Sequence, residues 1–196
     1  MEFEGKMIVV TAPSGAGKTT IVKYLLEKMD NLDFSISATT RDKRPYEVDG
    51  KDYFFITKEQ FEELIAKKAF AEYEIVYEGQ YYGTLAAEIE RIWQNGKHII
   101  FDIDVQGALT LKRKYLESCL TIFIRPPSKE LLIERLTNRQ TESPEALKKR
   151  IDKAEKELGY ESLFDFVLIN DQLEVACFEA ETVVHLFLNP EIALNE

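Results

Sequence analysis

Short apolar segments alternate with longer segments of helical periodicity along most of this chain of 196 residues. The short segments are rich in β-branched and aromatic residues, as is typical of strands buried on both faces. Helical patterns separate most of them, and this alternation predicts an α/β fold with a parallel sheet flanked by helices. The predicted strands are residues 6–11, 34–38, 98–103, 119–124 and 166–169.

Capping residues mark several of the predicted helix ends. Thr57 with Gln60 forms the pattern of a capping box, and Gly96 follows a periodic segment. Ser143, Pro144 and Glu145 supply an N-cap, a first-turn proline and a first-turn acid. These signals predict where helices begin and end.

Two segments depart from the α/β alternation. Residues 38–84 are rich in Tyr, Phe and charge, with short strand-like pieces around one predicted helix at 58–68. Residues 135–143 (RLTNRQTES) are polar and lie between two predicted helices. We therefore expect a single domain with a core of residues 5–37, 85–134 and 144–188, an inserted β-rich lobe at 38–84 and a lid at 135–143.

Composition limits the classes of partner. The formal net charge is −10, which argues against nucleic acid as a partner because surfaces that bind it are usually basic. A nucleotide is not excluded. Cations within a few ångströms of a phosphate attract it more strongly than distant acidic groups repel it, because salt screens the distant charges. Cys119 and Cys177 lie in apolar segments without metal-ligand spacing, and we expect buried free thiols. The first residues lack the pattern of a signal peptide and no apolar run approaches about 20 residues, so we expect a soluble cytoplasmic protein without membrane contact.

A glycine-rich turn carries the strongest chemical signal. Residues 12–19 read A-x-x-G-x-G-K-T, which matches the phosphate-loop pattern G-x-x-x-x-G-K-[ST] except for its first residue. A predicted strand precedes the turn and a predicted helix follows it, as the motif requires. Ala12 replaces the first glycine, and a methyl group is tolerated there if the residue keeps a negative φ.

Each residue type in this turn has a physical purpose. Gly15 and Gly17 allow the backbone N–H groups to point inward, and the following helix adds the positive end of its dipole. Lys18 is expected to reach the β and γ phosphates, and Thr19 to offer its hydroxyl to Mg²⁺. The motif predicts an ATP-binding loop of Ala12, Pro13, Ser14, Gly15, Ala16, Gly17, Lys18, Thr19 and Thr20.

A phosphate loop is shared by GTPases, ATPases and small-molecule kinases, so the acceptor site must decide the reaction. Arg41 and Arg44 stand three residues apart in a predicted loop, and each guanidinium fork suits a phosphate group. Surface exposure is the alternative for such a charged loop, because most arginines are exposed.

The sequence resembles the guanylate kinase family over residues 5–188. The resemblance is carried by APSGAGKTT, SATTRDKRPYEVDGKDYFF, FAEYEIVYEGQYYGT, FDIDVQGA, RLTNRQTE and VLINDQLE, in the order that the family has. It implies a P-loop nucleotide kinase that phosphorylates GMP, and with it dGMP, using Mg²⁺ and ATP.

The resemblance also assigns the acceptor site. It implies that Arg41, Arg44, Tyr53 and Tyr82 hold the GMP phosphate. The implied guanine contacts are Ser37, Glu72, Thr84 and Asp104, with Gly83 beside them, and Asp102 would order water around Mg²⁺.

Further arginines are implied to act on the transferred phosphoryl group. The family's lid and post-lid arginines match Arg135, Arg139 and Arg150, and the implied catalytic set is Lys18, Arg41, Arg135, Arg139 and Arg150. Asn170 and Asp171 would approach the adenine of ATP. Gln140 stands where many relatives carry glycine, so this chain departs from the family's lid pattern.

Two other classes of function remain as alternatives. Guanylate-kinase-like domains of scaffold proteins bind protein partners without catalysis, but they typically lack an intact phosphate loop. A kinase for another monophosphate, or a regulatory GTPase, is the second alternative, although no N-K-x-D-like motif is present. The two histidines, His98 and His185, stand in apolar runs without ligand spacing and are expected to be structural.

Overall fold

The structure is a computed structural model that describes residues 3–77, 79–137 and 144–192. Its strands are β1 (Met7–Thr11), β2 (Leu32–Phe34), β3 (Ala38–Thr39), β4 (Phe54–Phe55), β5 (Phe70–Tyr77), β6 (Gln80–Leu85), β7 (His98–Asp102), β8 (Cys119–Arg125) and β9 (Phe166–Ile169). Its α-helices are α1 (Lys18–Lys28), α2 (Lys58–Ala66), α3 (Ala86–Gln94), α4 (Val105–Tyr115), α5 (Lys129–Thr137), α6 (Pro144–Leu158) and α7 (Leu173–Leu188).

The main sheet is parallel, as the alternation of elements predicts. Its strand order is β2-β7-β1-β8-β9, and every neighbouring pair is parallel. Side chains of β1 alternate between its faces: Ile8 and Val10 pack with α1 and α7, whereas Met7 and Val9 pack with α3 and α4. Complete burial of side chains of this size contributes about 1.5–3 kcal/mol each, so both faces of the sheet stabilise the fold.

The carboxyl ends of these strands form one edge. β1 leads into the glycine-rich turn, β7 ends at Asp102, and β9 is followed by Asn170. Val10 of β1 is opposite Asp102 of β7. Crevices at the carboxyl ends of parallel strands are the usual ligand sites of open α/β sheets, and this edge holds the predicted phosphate loop.

A second sheet accounts for the β-rich segment. Its order is β4-β3-β6-β5: β3 is parallel to β4, whereas the pairs β3–β6 and β5–β6 are antiparallel. Phe61 of α2 is fully buried and stacks on Phe70, with ring centroids 4.3 Å apart. Aromatic packing thus attaches α2 to this sheet.

One predicted strand is wrong as a single element. Residues 34–38 were expected to form one strand, but β2 ends at Phe34 in the main sheet and β3 begins at Ala38 in the second sheet. The Ser35 N–H still donates to the Ile100 carbonyl at 3.0 Å. The chain then crosses between the sheets, and a local apolar pattern contains no information about which sheet each residue joins.

Helix boundaries largely follow the predicted signals. The capping box is confirmed, since Thr57 Oγ1 accepts from the Gln60 N–H and Gln60 Oε1 from the Thr57 N–H. The helix ends at Ala66 rather than at residue 68 because Lys68 has a positive φ of 55°. Gly96 follows α3 with a φ of 69°, and Ser143 lies outside the described residues.

The cysteines agree with the expectation from the sequence. Cys119 and Cys177 are buried and free, as predicted. Over residues 3–77, 79–137 and 144–192, none of the helices combines the length and the apolar character that a membrane crossing requires.

Candidate active site

The glycine-rich turn has the backbone that an anion site needs. Gly15 and Gly17 have φ values of 91° and 93°, in the left-handed region that favours glycine. The N-cap of α1 is Gly17, which has no side chain to occupy the first N–H groups of that helix. The Thr20 N–H donates to the Gly17 carbonyl at 3.2 Å, which leaves the N–H groups of Lys18 and Thr19 as donors at the turn.

Ala12 fits the turn without strain. It is 7 % exposed, and the non-glycine residues with positive φ in the described ranges are Lys68 and Leu116. The substitution of the first glycine of the pattern therefore leaves the loop in a conformation that alanine readily adopts.

Asp102 joins the two reactive side chains of the turn. Its Oδ1 lies 2.7 Å from Lys18 Nζ, and its Oδ2 accepts from the Thr19 hydroxyl at 3.0 Å. Lys18 Nζ also donates to the Ile103 carbonyl at 2.9 Å. Burial by itself would lower the pKa of Lys18, but the adjacent Asp102 carboxylate raises it above its usual value. Lys18 is therefore a permanent cation.

A cavity of about 340 Å³ opens over the turn. Arg150 lines it from α6 and donates to Ser14 Oγ at 2.7 Å, so this predicted post-lid arginine does reach the phosphate loop. Lys153 and Glu157 line the cavity from the same helix. The full lining is Ala12, Pro13, Ser14, Gly15, Ala16, Gly17, Lys18, Thr19, Thr20, Asp104, Arg150, Lys153 and Glu157.

A second cavity, of about 150 Å³, lies between the two sheets. Most of the side chains that the resemblance assigns to the acceptor line it. They are Ser37, Tyr53, Glu72, Tyr82, Gly83 and Asp104; the other lining residues are Lys18, Val76, Asp102 and Ile103. Lys18 and Asp104 line both cavities, so the two spaces meet at these side chains.

Glu72 is the buried acid of the second cavity. It lies in β5, opposite Thr84 of β6, and is 6 % exposed. Burial raises its pKa to about 7, and the nearby Asp104 carboxylate acts in the same direction. Thr84 Oγ1 is fully buried beside this carboxyl group, and its interaction with Glu72 opposes the rise in pKa. A buried site with polar groups of this kind favours a polar ligand.

Asp104 serves a helix as well as the cavity. Its Oδ1 accepts from the Gln106 and Gly107 N–H groups at 2.8 and 3.0 Å and thereby caps α4. A Cβ atom on Gly107 would lie 2.7 Å from Glu72 Oε2. Glycine at this position therefore makes room for the Glu72 carboxylate.

The two predicted phosphate arginines differ in position. Arg41 is 11 % exposed, and its guanidinium lies 4.9 Å from the Tyr53 ring centroid. Arg44 is 58 % exposed and donates to the Tyr46 hydroxyl at 3.2 Å. The structure places Arg41 beside a wall of the second cavity and leaves Arg44 at the surface.

Three other predicted ATP contacts do not line the 340 Å³ cavity. Asn170 is buried behind the phosphate loop, where its Nδ2 donates to the Ala16 carbonyl at 2.8 Å. Asp171 is exposed and lines a different cavity. Arg135 is half-buried in the last turn of α5, and Arg139 and Gln140 lie outside the described residues.

Sequence reasoning missed four residues of this region. Lys153 and Glu157 follow Arg150 by three and seven positions, a helical spacing that places all three on one face, so the pattern could have revealed them. Gly107 and Glu47 lie in segments that carry the resemblance, but no pattern within those segments reveals their contacts with Glu72 and Arg41.

Comparisons with known proteins agree with this geometry. The sequence model of the guanylate kinase family matches residues 4–186. The chain belongs to the guanylate kinase family. It is 47 % identical over 190 residues to a guanylate kinase of Bacteroides thetaiotaomicron, covering 97 % of this chain and 93 % of the relative. It is 50 % identical over 175 residues to a guanylate kinase of Porphyromonas gingivalis, covering 89 % and 93 %.

A solved structure supports the fold of the family. The crystal structure of guanylate kinase from Anaplasma phagocytophilum superposes with a TM-score of 0.75 at 29 % identity. The superposition covers 92 % of this chain and 85 % of that chain. The parallel sheet with flanking helices is thus the P-loop fold of guanylate kinases.

Proposed function

We propose that this protein transfers the terminal phosphoryl group of ATP to the phosphate of GMP and releases ADP and GDP. The observation that carries this proposal is the junction of two cavities at Lys18 and Asp104. One cavity is built on the glycine-rich turn, and the other is lined by six of the residues that we assign to the acceptor. Two nucleotides seated in them would bring their phosphates together at Lys18.

The donor side favours a nucleoside triphosphate. Backbone N–H groups of residues 15–19 and the amino end of α1 would hold the β and γ phosphates, and Lys18 would add a full positive charge. Arg150 lies within hydrogen-bond distance of the loop residue Ser14. It would stabilise charge on the transferred group, as we also propose for Arg135 and Arg139. We place the adenine of ATP near Asn170 and Asp171.

The residues present fit a magnesium ion. Thr19 and Asp102 offer hard oxygen atoms 3.0 Å apart beside the loop, and no group of three or more potential ligands occurs in the described ranges. A site with few protein ligands suits Mg²⁺, which keeps several waters and binds substrate phosphates. Thr19 would bind the ion directly and Asp102 through water, and the ion would neutralise charge on the β and γ oxygens.

The acceptor side favours guanine over adenine. An ionised Glu72 accepts hydrogen bonds from the guanine N1–H and its exocyclic amine, whereas adenine offers an unprotonated N1 that would repel a carboxylate. Ser37, Thr84 and Asp104 would complete the guanine contacts. Sites of this kind discriminate by about 10⁴-fold or more when a buried polar group loses its partner. We propose dGMP as a second acceptor, since it carries the same base and phosphate.

The transfer requires no covalent intermediate with the protein. An oxygen of the GMP phosphate attacks the γ phosphorus of ATP, and the bond from that phosphorus to the β–γ bridging oxygen breaks. This phosphate is ionised near neutral pH, so no general base is needed. Arg41, Arg44, Tyr53 and Tyr82 would orient it, and the lobe and the lid would close to exclude water.

An acceptor panel tests the proposal. ADP formation from Mg²⁺-ATP is measured separately with GMP, dGMP, AMP, CMP, UMP and dTMP. We expect GMP to give the highest kcat/KM and AMP to fall at least about 10⁴-fold below it. Turnover of AMP equal to that of GMP would reject the guanine assignment.

The role of Lys18 is measured in the same assay. Lys18→Ala is expected to lower kcat at least about 10²-fold, the scale for loss of one preorganised charged contact. Lys23→Ala is the matched control, because Lys23 is exposed on the same helix. A Lys18→Ala rate within threefold of the control would contradict the proposed donor site.

A further inference from the structure

Glu47 is a buried acid that the proposed mechanism does not use. It lies in the loop between β3 and β4 and is 6 % exposed. A carboxylate is rarely buried to this extent unless it is paired. The hydrogen-bond partners of Glu47 therefore indicate its role in this loop.

Both carboxylate oxygens of Glu47 bind one guanidinium. Arg41 Nη1 donates to Glu47 Oε2 at 2.7 Å, and Arg41 Nη2 donates to Glu47 Oε1 at 2.6 Å. The same Oε2 accepts from the backbone N–H of Arg44 at 2.8 Å. One carboxylate thus fixes the side chain of Arg41 and the backbone of Arg44.

Backbone contacts close the same loop from the other side. The Glu47 N–H donates to the Arg44 carbonyl at 3.1 Å, and Lys43 Nζ donates to the Glu47 carbonyl at 3.0 Å. The hydrogen bond with Arg41 lowers the pKa of Glu47 to about 2, so the carboxylate is ionised at any pH at which the enzyme would be assayed.

One edge of the Arg41 guanidinium keeps N–H donors that a ligand can use. A guanidinium has five N–H donors. Glu47 takes two, at the end formed by Nη1 and Nη2, and the Asp42 carbonyl takes a third from Nη1 at 2.9 Å. Within the described residues, the Nε hydrogen and the second Nη2 hydrogen have no hydrogen-bond partner. These two lie on one edge and form the fork that a phosphate can bind with two oxygens.

We propose that Glu47 is a positioning residue for the GMP phosphate, which holds Arg41 so that its Nε–Nη2 edge is presented to the acceptor. The proposal rests on the proposed function, because it concerns the same acceptor site. Glu47 does not compete with the phosphate, since it occupies a different edge of the guanidinium. It also compensates the charge of Arg41 before GMP arrives, which a buried cation of 11 % exposure requires. Together, Arg41, Arg44 and Glu47 retain one net positive charge for the phosphate.

The proposal predicts that loss of the Glu47 carboxylate changes the KM for GMP much more than kcat or the KM for ATP. Glu47→Gln keeps the shape of the side chain but places an NH₂ group against an N–H of Arg41, which releases the fork. We expect the KM for GMP to rise at least tenfold, with kcat within threefold and the KM for ATP within twofold of the wild type. Glu63→Gln is the matched control in the same segment, because its carboxylate is 70 % exposed and pairs only at 3.8 Å. An unchanged or lowered KM for GMP would overturn the proposal.

A double-mutant cycle distinguishes positioning from a general structural effect. If Glu47 acts through Arg41, then Glu47→Gln should lower kcat/KM for GMP at least tenfold in the wild type but less than twofold in an Arg41→Ala background. Equal losses in the two backgrounds would show that Glu47 acts independently of Arg41 and would refute its positioning role. If wild-type enzyme turns over AMP as well as GMP, the guanine assignment fails, whereas the cycle still reports on the phosphate contact.

Discussion

Glu72 lies in an environment that disfavours the ionised form of its own side chain. Its carboxyl group lies between the two sheets with Asp104 nearby, and burial raises its pKa to about 7. Gly107 leaves it room where any Cβ would collide with Oε2. Burial therefore favours the neutral form of this side chain, whereas the proposed contact with guanine requires the ionised form.

This conflict predicts a pH dependence of GMP use. Because kcat/KM reports the free enzyme, we expect it to fall as the pH is lowered through about 7, when Glu72 gains a proton and can no longer accept two hydrogen bonds from guanine. The GMP phosphate titrates near 6 and adds a second inflection. The measurement is the kcat/KM profile for GMP between pH 5.5 and 9.

The matching control removes only the acid. Glu72→Gln should lower kcat/KM for GMP at all pH values. Its profile should keep only the inflection near pH 6, which belongs to the GMP phosphate. A variant that keeps the inflection near 7 would assign that titration to another group. A wild-type profile that is flat between pH 6.5 and 9 would also contradict the prediction.

At the scale of helices and strands, the sequence predicted those elements that depend on residues close to one another along the chain. The apolar runs that became β1, β7 and β8 were predictable because these strands are buried on both faces. β9 carries a similar apolar run, although Val167 and Ile169 are exposed at the edge of the sheet. The capping box of α2 was predictable because its two hydrogen bonds join residues three apart. The division of residues 34–38 between two sheets was not predictable in this way. Strand pairing there joins Ala38 to Phe54 and Gly83, which lie far along the chain.

The cap of α2 predicts a measurable loss of stability. Thr57→Ala removes the acceptor of the Gln60 N–H, which costs about 1 kcal/mol and should lower Tm by roughly 2–4 °C for a chain of this size. Thr182→Ala is the control, because Thr182 lies inside α7 and its hydroxyl only donates to the Phe178 carbonyl. We expect no loss in the control, and kcat should change in neither variant. Equal melting temperatures for the two variants, measured by scanning calorimetry, would contradict the role of the cap.

At the scale of the whole molecule, topology assembles the candidate site. Tyr53, Glu72 and Asp104 come from three separate segments and line one cavity, and the phosphate loop joins them through Lys18. The motif predicted the loop because its residues are contiguous, but only the resemblance to a family connected the acceptor residues with each other. Glu47 and Gly107 lie in segments that carry the resemblance, but their contacts with Arg41 and Glu72 were found only from the structure.

The stability of the molecule should also depend on Glu72, with a sign opposite to that of most acids. Its folded-state pKa of about 7 exceeds the ordinary value of 4.5, so between these values the folded state binds more protons than the unfolded state. The free energy of unfolding therefore decreases as the pH rises from about 4.5 to about 7, and the loss is complete above 7. A shift of this size corresponds to about 3 kcal/mol.

Glu72→Gln should therefore be more stable than the wild type at pH 8, by up to about 3 kcal/mol, and show no such gain at pH 4. Urea unfolding at both pH values measures the difference, with Glu27→Gln as the control because that side chain is exposed on α1. If the variant gains stability and loses GMP turnover, the Glu72 carboxyl group destabilises the folded state but is needed for activity. This combination is expected for a group that binds a ligand. Equal stability of the variant and the wild type at pH 8 would show instead that the site accommodates the charge of Glu72 without loss.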